Sequence, residues 1–276
     1  MDLPAMQPQR LMHLSDLHFG AHDPQVCAAV QRLAHALQIR VVVVSGDLTQ
    51  RATRTQFAQA HDFIQGLGVP ERVVLAGNHD LPLFAWWLRW GRAYDRFAAQ
   101  FGAQLEPQRQ VGPFCVVGVN TTRPWRHERG SLSARQVDRV AADLLAAPND
   151  AWCIVASHHP LVGRCAQDRS HRPLGADAAV ARWREAGADM LLSGHVHQPG
   201  LSQPLPGLWS MQAGTAVSHR LRWGQPNSLV VLQVQSVVPA VGLEHVGPAP
   251  LQRHAQRWDF DAKAGDFVCV EARPLG

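Results

Sequence analysis

Val41-Val42-Val43-Val44-Ser45-Gly46-Asp47 is the stretch whose reading decides the fold. Four consecutive β-branched residues with no polar interruption describe a strand covered on both faces, as the central strands of parallel sheets are. Gly46 and Asp47 then stop it in a polar turn. Upstream, Leu11, Met12 and Leu14 form a short strand that runs into Ser15-Asp16-Leu17-His18. Between the two strands Val26, Val30, Leu33 and Leu37 recur at helical spacing over residues 24–39, opened by Asp23 and by Pro24 in the first turn. Strand, helix, strand is a βαβ unit, with acidic residues just beyond both strands.

The same alternation continues. A helix over 53–67 carries Phe57, Phe63, Ile64 and Leu67, and the strand Val73-Val74-Leu75-Ala76 ends in Gly77-Asn78-His79-Asp80. Residues 81–101 differ, because Phe84, Trp86, Trp87, Trp90 and Phe97 alternate with Arg89, Arg92 and Arg96. They read as an amphipathic helical insert beside the polar loop. A strand over 114–120 follows, then a loop with Arg123, Arg126 and Arg129, and a helix over 133–146 capped by Ser131 or Ser133. The strand 152–157 terminates in His158-His159-Pro160, residues 177–186 are helical, and the strand 190–193 terminates in Gly194-His195-Val196-His197. Beyond that point helical periodicity disappears; 208–213, 229–234 and the surroundings of Trp258 and Val268 suggest short, mainly antiparallel strands.

With 276 residues and 46% hydrophobic content, the chain is near the upper size for one hydrophobic core. A net charge of +4 suits anionic substrates, but the arginines are scattered rather than run together, so no nucleic-acid groove is demanded and a nucleic-acid partner is not expected. Cys27, Cys115, Cys153, Cys165 and Cys269 are odd in number and contain no C-x-x-C pair, which suits reduced core cysteines. Residues 1–9 have no apolar signal core, and no apolar run approaches the roughly 20 residues that span a bilayer. A cytoplasmic protein with no membrane span is the expectation.

Collected in order, the strand ends carry Asp16, His18, Asp47, Asn78, His79, His158, His195 and His197. Any one of them alone is an ordinary polar residue. Five successive strand-to-loop junctions that all deliver carboxylate, imidazole or carboxamide groups describe a ligand set for borderline divalent metals, with no thiolate cluster of the structural zinc kind. Asp16 and His18 are two apart, so an extended backbone would point both toward one ion. Seven ligands with one shared carboxylate suit a two-metal site, whose ions lie about 3.5–4 Å apart. His158 and His159 are adjacent and on a strand would face opposite ways.

Asp16-x-His18, Gly46-Asp47, Gly77-Asn78-His79-Asp80, His158-His159-Pro160 and Gly194-His195-x-His197 together resemble the calcineurin-like metallophosphoesterase superfamily, over roughly residues 10–227. The resemblance implies an α/β fold, a four-layer α/β/β/α sandwich with mixed central sheets and a mainly β C-terminal segment. It implies a catalytic domain over 1–234, with the Trp- and Arg-rich insert at about 81–109, and a β extension over 235–276 packed on it. It places Asp16, His18 and His197 on one metal, Asn78, His158 and His195 on the other, and Asp47 across both. His79 then meets the leaving group, with Asp80 orienting it.

Ser15-Asp16-Leu17-His18-Phe19-Gly20, Gly46-Asp47-Leu48-Thr49-Gln50, Asn120-Thr121 and Gln212-Ala213-Gly214-Thr215-Ala216, followed by Asn227-Ser228, look most like the bacterial class III cyclic-nucleotide phosphodiesterases and their glycerophosphodiesterase relatives. Gln50-Arg51-Ala52 departs from the protein-phosphatase continuation, and the only tyrosine, Tyr94, lies in the insert, away from where a purple acid phosphatase needs one. The expected chemistry is hydrolysis of a small phosphoric diester, 3',5'-cyclic nucleotides first, by a metal-bridging hydroxide at two divalent ions (Mn, Fe, Zn or Co). Glycerophosphodiesters, nucleotide-sugar pyrophosphates and a nuclease activity are alternatives, and a non-catalytic regulatory binding protein is the alternative of another class. Candidate substrate-binding residues are His159, Arg123, Arg126, His219 and Arg220. For Trp86, Trp87 and Trp90, packing on the domain, a lid, a lipid-facing surface and a homodimer contact are all open.

Overall fold

Val41 to Val44 form one strand whose alternate side chains enter two different cores. Val41 and Val43 face an apolar layer between two sheets, while Val42 and Val44 face the layer beneath a pair of helices. This double coverage is why the run tolerates no polar residue: each fully buried valine contributes roughly 1.5–3 kcal/mol. The computed structural model describes residues 7–82, 89, 91–126, 128–163, 167–236 and 251–275. Phe84, Trp86, Trp87 and Trp90 of the expected insert, and Cys165, lie outside the described residues.

In chain order the elements are β1 (Gln9–Leu14), α1 (Pro24–Ala36), β2 (Val41–Val44), α2 (Arg54–Gly66), β3 (Glu71–Val74), α3 (Asp95–Phe101), β4 (Gln108–Val111), β5 (Phe114–Val119), α4 (Ala134–Leu145), β6 (Trp152–Ser157), α5 (Ala176–Glu185), β7 (Met190–Ser193), β8 (Gly200–Leu205), β9 (Leu208–Gln212), β10 (Ser228–Ser236), β11 (Leu251–Asp261) and β12 (Asp266–Leu275). Short 3-10 turns occupy Asn78–Asp80 and Gln167–His171. Helices α1, α2 and α4 start at side-chain caps. Asp23 accepts from Gln25 N, Thr53 from Gln56 N, and Ser133, rather than Ser131, from Gln136 N.

One sheet runs β12-β11-β10-β1-β2-β3 and the other β4-β5-β6-β7-β9-β8. Within the first, β1, β2 and β3 are parallel, and β10 pairs antiparallel with β1 and β11. Within the second, β5, β6, β7 and β9 are parallel, with antiparallel β4 and β8 at the edges. Three apolar layers separate four layers of structure. Phe57, Val26 and Leu33 pack α1 and α2 on the first sheet. Leu11, Val73, Trp152 and Ile154 fill the space between the sheets, and Val140, Val180 and Trp183 pack α4 and α5 on the second. The architecture is therefore the α/β/β/α sandwich.

Two details differ from the sequence expectation. The late strands are antiparallel around β10 but not short: β10, β11 and β12 have 9, 11 and 10 residues. β10 is largely buried, whereas β11 is mostly half-buried and β12 mostly exposed, so hydrophobic alternation under-reports the last two. Cys269 is exposed on β12, unlike the buried Cys115 and Cys153.

For function, the register matters most. Leu14 pairs with Val44 and Val44 with Val74, while Val119 pairs with Ser157 and Ser193 with Gln212. The parallel strands end level, so the loops after their carboxyl ends are neighbours. Asp16 N donates to Gly46 O at 3.1 Å, His18 N to Asp47 O at 2.9 Å, and Gly194 N to His158 O at 3.0 Å.

Candidate metal centre

These stitched loops bring all seven expected ligands together. Ligand atoms of Asp16, His18, Asp47 and His197 lie within 4.8 Å of one another, as do those of Asp47, His158 and His195, and every one of these residues is buried. Asp47 belongs to both groups. Its Oδ1 is 3.3 Å from His158 Nε2 and its Oδ2 is 3.7 Å from His18 Nε2, so each oxygen faces one group. Asn78 completes the second, with Oδ1 3.0 Å from both His158 Nε2 and His195 Nδ1.

The backbone reaches this arrangement by a route that strand alternation does not describe. Asp16 (φ 54°), His18 (45°), Asp47 (52°), His195 (71°) and His197 (57°) all occupy the left-handed region. Asp16 and His18 therefore converge through two sharp reversals instead of along an extended strand. Such conformations cost about 1–3 kcal/mol each in non-glycine residues and persist where the surroundings over-determine them. The neighbouring glycines are equally constrained: a Cβ on Gly194 would lie 1.8 Å from Ser15 Oγ and 2.5 Å from Asp16 Oδ2.

Hydrogen bonds behind the rings turn the lone pairs inward. His158 Nδ1 donates to Ser45 O at 2.9 Å and His197 Nδ1 to Arg220 O at 2.8 Å. Nε2 of each ring is left as the inward acceptor. His197 Nε2 then lies 3.1 Å from His18 Nε2 and 3.2 Å from Asp16 Oδ1, and His158 Nε2 faces the carbonyl oxygen of Asn78. Asp16 Oδ2 accepts from His195 N at 2.9 Å, but Oδ1 is buried without a hydrogen-bond partner among the described residues. Acceptors converging on acceptors in a buried site are repulsive until a cation stands between them. The donor set, oxygen and imidazole nitrogen without sulfur, fits divalent cations.

The electrostatics agree. Burial pushes the Asp16 carboxyl up, but the charge of His197, which Asp16 in turn raises, with those of His158 and His18, outweighs it and holds Asp16 well below the usual carboxylate range. Burial likewise opposes ionisation of Asp47, yet His158, His79 and His18 bring it down. Burial holds His18 at about 3 and His195 well below the ordinary imidazole value. The carboxylates are charged and these rings neutral, as ligands must be.

Residues 9–199 match the family model of the calcineurin-like phosphoesterases. The chain belongs to the calcineurin-like phosphoesterase family. As a member it is a metal-dependent hydrolase. It is similar to a probable cyclic nucleotide phosphodiesterase from Synechococcus, 24% identical over 200 residues that cover 68% of this chain and 73% of that one. In fold it resembles a purple acid phosphatase from yellow lupin seeds, with a TM-score of 0.71, 14% identity and coverage of 97% of this chain and 53% of that one. The chain thus spans about half the length of the lupin protein. It also resembles a dimetal phosphatase from Danio rerio, with a TM-score of 0.65, 12% identity and coverage of 97% and 98%. None of the helices among the described residues is long and apolar enough to cross a membrane.

Around the calcineurin-like ligand cluster, the remaining expected residues separate. His79 lies against it: its N–H donates to Asp47 Oδ1 at 2.8 Å, and its ring packs edge-on to His18 with centroids 4.9 Å apart. Its Nδ1 donates to Gln50 O at 3.1 Å, so that carbonyl, and not Asp80, sets the tautomer. Asp80 instead accepts from Gly77 N, Leu48 N, Thr49 N and Thr49 Oγ1 at 2.8–3.1 Å. It ties the loop after β3 to the loop after β2. Burial and then the Asp47 charge push its carboxyl up to about 7 against those donors.

Arg220 Nη1 reaches His79 Nε2 at 3.2 Å, Gln50 Oε1 at 3.2 Å and His18 Nδ1 at 3.5 Å. Arg123 does not approach in this way; its guanidinium donates to Asn120 O, Thr122 O and Gln136 Oε1, anchoring its own loop to α4. Arg126 is exposed on the same turn, and His219 is an exposed rim residue 4.0 Å from Asp23 Oδ2. His159 is buried in the wall, its Nδ1 2.8 Å from Thr121 Oγ1 and its ring 4.6 Å from that of His195. Tyr94 bonds Asn120 Nδ2 and Thr122 Oγ1 through its hydroxyl.

Three contributors escaped sequence reasoning. Thr215 Oγ1 lies 2.8 Å from His197 Nδ1, His171 Nδ1 lies 3.1 Å from His195 Nε2, and His13 Nε2 lies 2.8 Å from Ser45 Oγ. Thr215 sits in the Ala213-Gly214-Thr215-Ala216 stretch, which was a usable signal. His171 and His13 stand in no motif.

Proposed function

We propose that the protein hydrolyses phosphoric diesters, with 3',5'-cyclic nucleotides as the leading substrate class. The observation that carries this is the pair of donor groups joined at Asp47, one carboxylate oxygen facing each group. Asp16, His18, Asp47 and His197 would hold one divalent ion, and Asp47, Asn78, His158 and His195 the other. Two such ions supply Lewis acidity to water and to phosphate oxygens. The likeness to a probable cyclic nucleotide phosphodiesterase supports the choice of substrate class.

The chain's own residues do the rest. Diester hydrolysis forms one P–O bond to the oxygen of water and breaks the P–O bond to an alkoxide, which must gain a proton. With Nδ1–H committed to Gln50 O, the exchangeable position of His79 is Nε2; protonated on both nitrogens, the ring gives that proton to the leaving oxygen, and the proton lost by the attacking water replaces it, a contribution of roughly 100- to 10,000-fold for a positioned donor. Arg220, whose Nη1 stands at the same nitrogen, supplies the charge-assisted bond to a phosphate oxygen.

The test is a panel of cyclic nucleotides, linear diesters and nucleotide diphosphates on metal-reconstituted protein, with Asn78→Ala as the control. Hydrolysis of cyclic nucleotides that disappears in Asn78→Ala is expected. Turnover of linear diesters alone would move the substrate to the glycerophosphodiester class, and no turnover by a fully metallated protein would leave the non-catalytic binding role.

A further inference from the structure

We infer that His171 is a positioning residue for the second cation group, acting through His195; this rests on the two-cation reading proposed above. His195 turns Nδ1 toward Asn78 Oδ1, 3.0 Å away, and therefore uses that nitrogen for the group shared with His158 and Asp47. A ring that gives its Nδ1 lone pair to a cation carries its proton on Nε2. His195 is only 9% exposed, so that N–H needs a partner from the protein. The partner is His171 Nδ1, 3.1 Å from His195 Nε2, with the two rings edge-on and their centroids 5.1 Å apart.

The other inward rings are held from behind by backbone carbonyls, at Ser45 for His158 and at Arg220 for His197. His195 alone among these three is held by a titratable side chain. The turn that presents His171 is itself anchored. Arg172, the next residue, donates from Nε to Leu161 O at 2.9 Å, pairs with Asp177 at the start of α5, and accepts at its carbonyl from Arg129 Nε at 3.1 Å. His171 thus fixes which nitrogen of His195 faces inward. Removing the acceptor leaves a buried N–H unpaired and lets the ring exchange tautomers. Outer partners of this kind change metal affinity by roughly 10- to 100-fold.

The experiment strips the full chain of metal and titrates it with Mn2+ alone, following stoichiometry and affinity by calorimetry and the spin-coupled two-ion signal by electron paramagnetic resonance. His171→Ala removes the acceptor. His171→Asn places an amide oxygen at the position of Nδ1 and restores it. The unaltered chain is expected to bind two ions. In His171→Ala one affinity falls roughly 10- to 100-fold, the other is unchanged, and the coupled signal gives way to a single-ion signal; His171→Asn recovers the coupled signal. The inference is overturned if His171→Ala keeps both affinities, if both fall together as general unfolding of the site would cause, or if His171→Asn fails to restore binding. Fewer than two ions in the unaltered chain would defeat the two-cation reading itself, an outcome visible before any variant is made.

Discussion

At the scale of single residues, Arg220 shows how backbone and side chain of one position divide their tasks. Its carbonyl accepts from His197 Nδ1 at 2.8 Å and so belongs to the support of the first cation group, while its guanidinium reaches His79 Nε2. Arg220→Ala keeps the carbonyl and removes only the fork. Metal content should therefore be unchanged, while kcat/KM falls by roughly 10- to 100-fold, the worth of one charge-assisted hydrogen bond of about 1.5–3 kcal/mol. Metal analysis beside steady-state kinetics checks this, and loss of metal in the variant would assign the side chain a structural task instead. Residue identities at the cluster were legible because Asp, Asn and His at strand ends have few other reasons to recur. Conformations were not. Nothing in Asp16-Leu17-His18 announces two left-handed residues, since only glycine advertises that region and the cost here is borne by contacts from distant loops. For the same reason Asp80 was legible as important but misread in role, because its four donors come from residues about 30 positions away and from Gly77.

At the scale of elements, the helices and parallel strands followed the sequence closely because amphipathic spacing and β-branched runs encode burial directly. The helix expected over 133–146 is Ala134–Leu145, and the one over 177–186 is Ala176–Glu185. The edge strands β4 and β8 carried no such signal. β4, Gln108–Val111, is mostly exposed and has no buried face to write into its composition. What positions α4 is a side-chain bracket. Gln136 Oε1 accepts from Ser133 N at 3.0 Å and from Arg123 Nη2 at 2.5 Å, while its Nε2 donates to Asn120 O at 2.8 Å and Glu106 Oε1 at 2.5 Å. One residue thereby caps the helix and clamps the loop after β5. Gln136→Ala should lower stability by about 2 kcal/mol, combining a lost cap box with unpaired half-buried groups. In a chain of this size that is a fall in Tm of roughly 3–4 °C with metal stoichiometry retained, measured by calorimetry and metal analysis. A variant with unchanged Tm would show that the bracket is incidental.

At the scale of the whole molecule, the two sheets deliver a dense group of buried histidines to one end of the sandwich, and that makes folding itself pH-dependent. Burial holds His13, His18 and His159 at about 3, and His195 well below its ordinary value. In the unfolded chain each would titrate near 6.5, so between that pH and about 3 the unfolded state binds more protons and stability rises with pH. The contribution is complete above pH 6.5 and is lost as pH falls through the window. Asp16 and Asp47, held low, add a further loss below about pH 4. Asp80, pushed up to about 7, and His197, raised by Asp16 against its burial, work in the opposite direction, but they are two groups against four imidazoles. Chelator-treated protein should therefore lose Tm steeply between pH 6.5 and 4. His13 offers the clean control, because it is buried beneath Ser45 and outside both donor groups. His13→Gln, which keeps a polar group near Ser45 Oγ, should remove close to one proton from the slope of stability against pH. Divalent metal should shift the whole curve upward, and less as falling pH protonates His197, whose proton affinity Asp16 raises, since proton and cation compete for its inward Nε2. A Tm that is flat from pH 7 to 4 without metal would mean that the folded and unfolded chains take up protons alike, and that these rings are hydrated and charged in the folded protein.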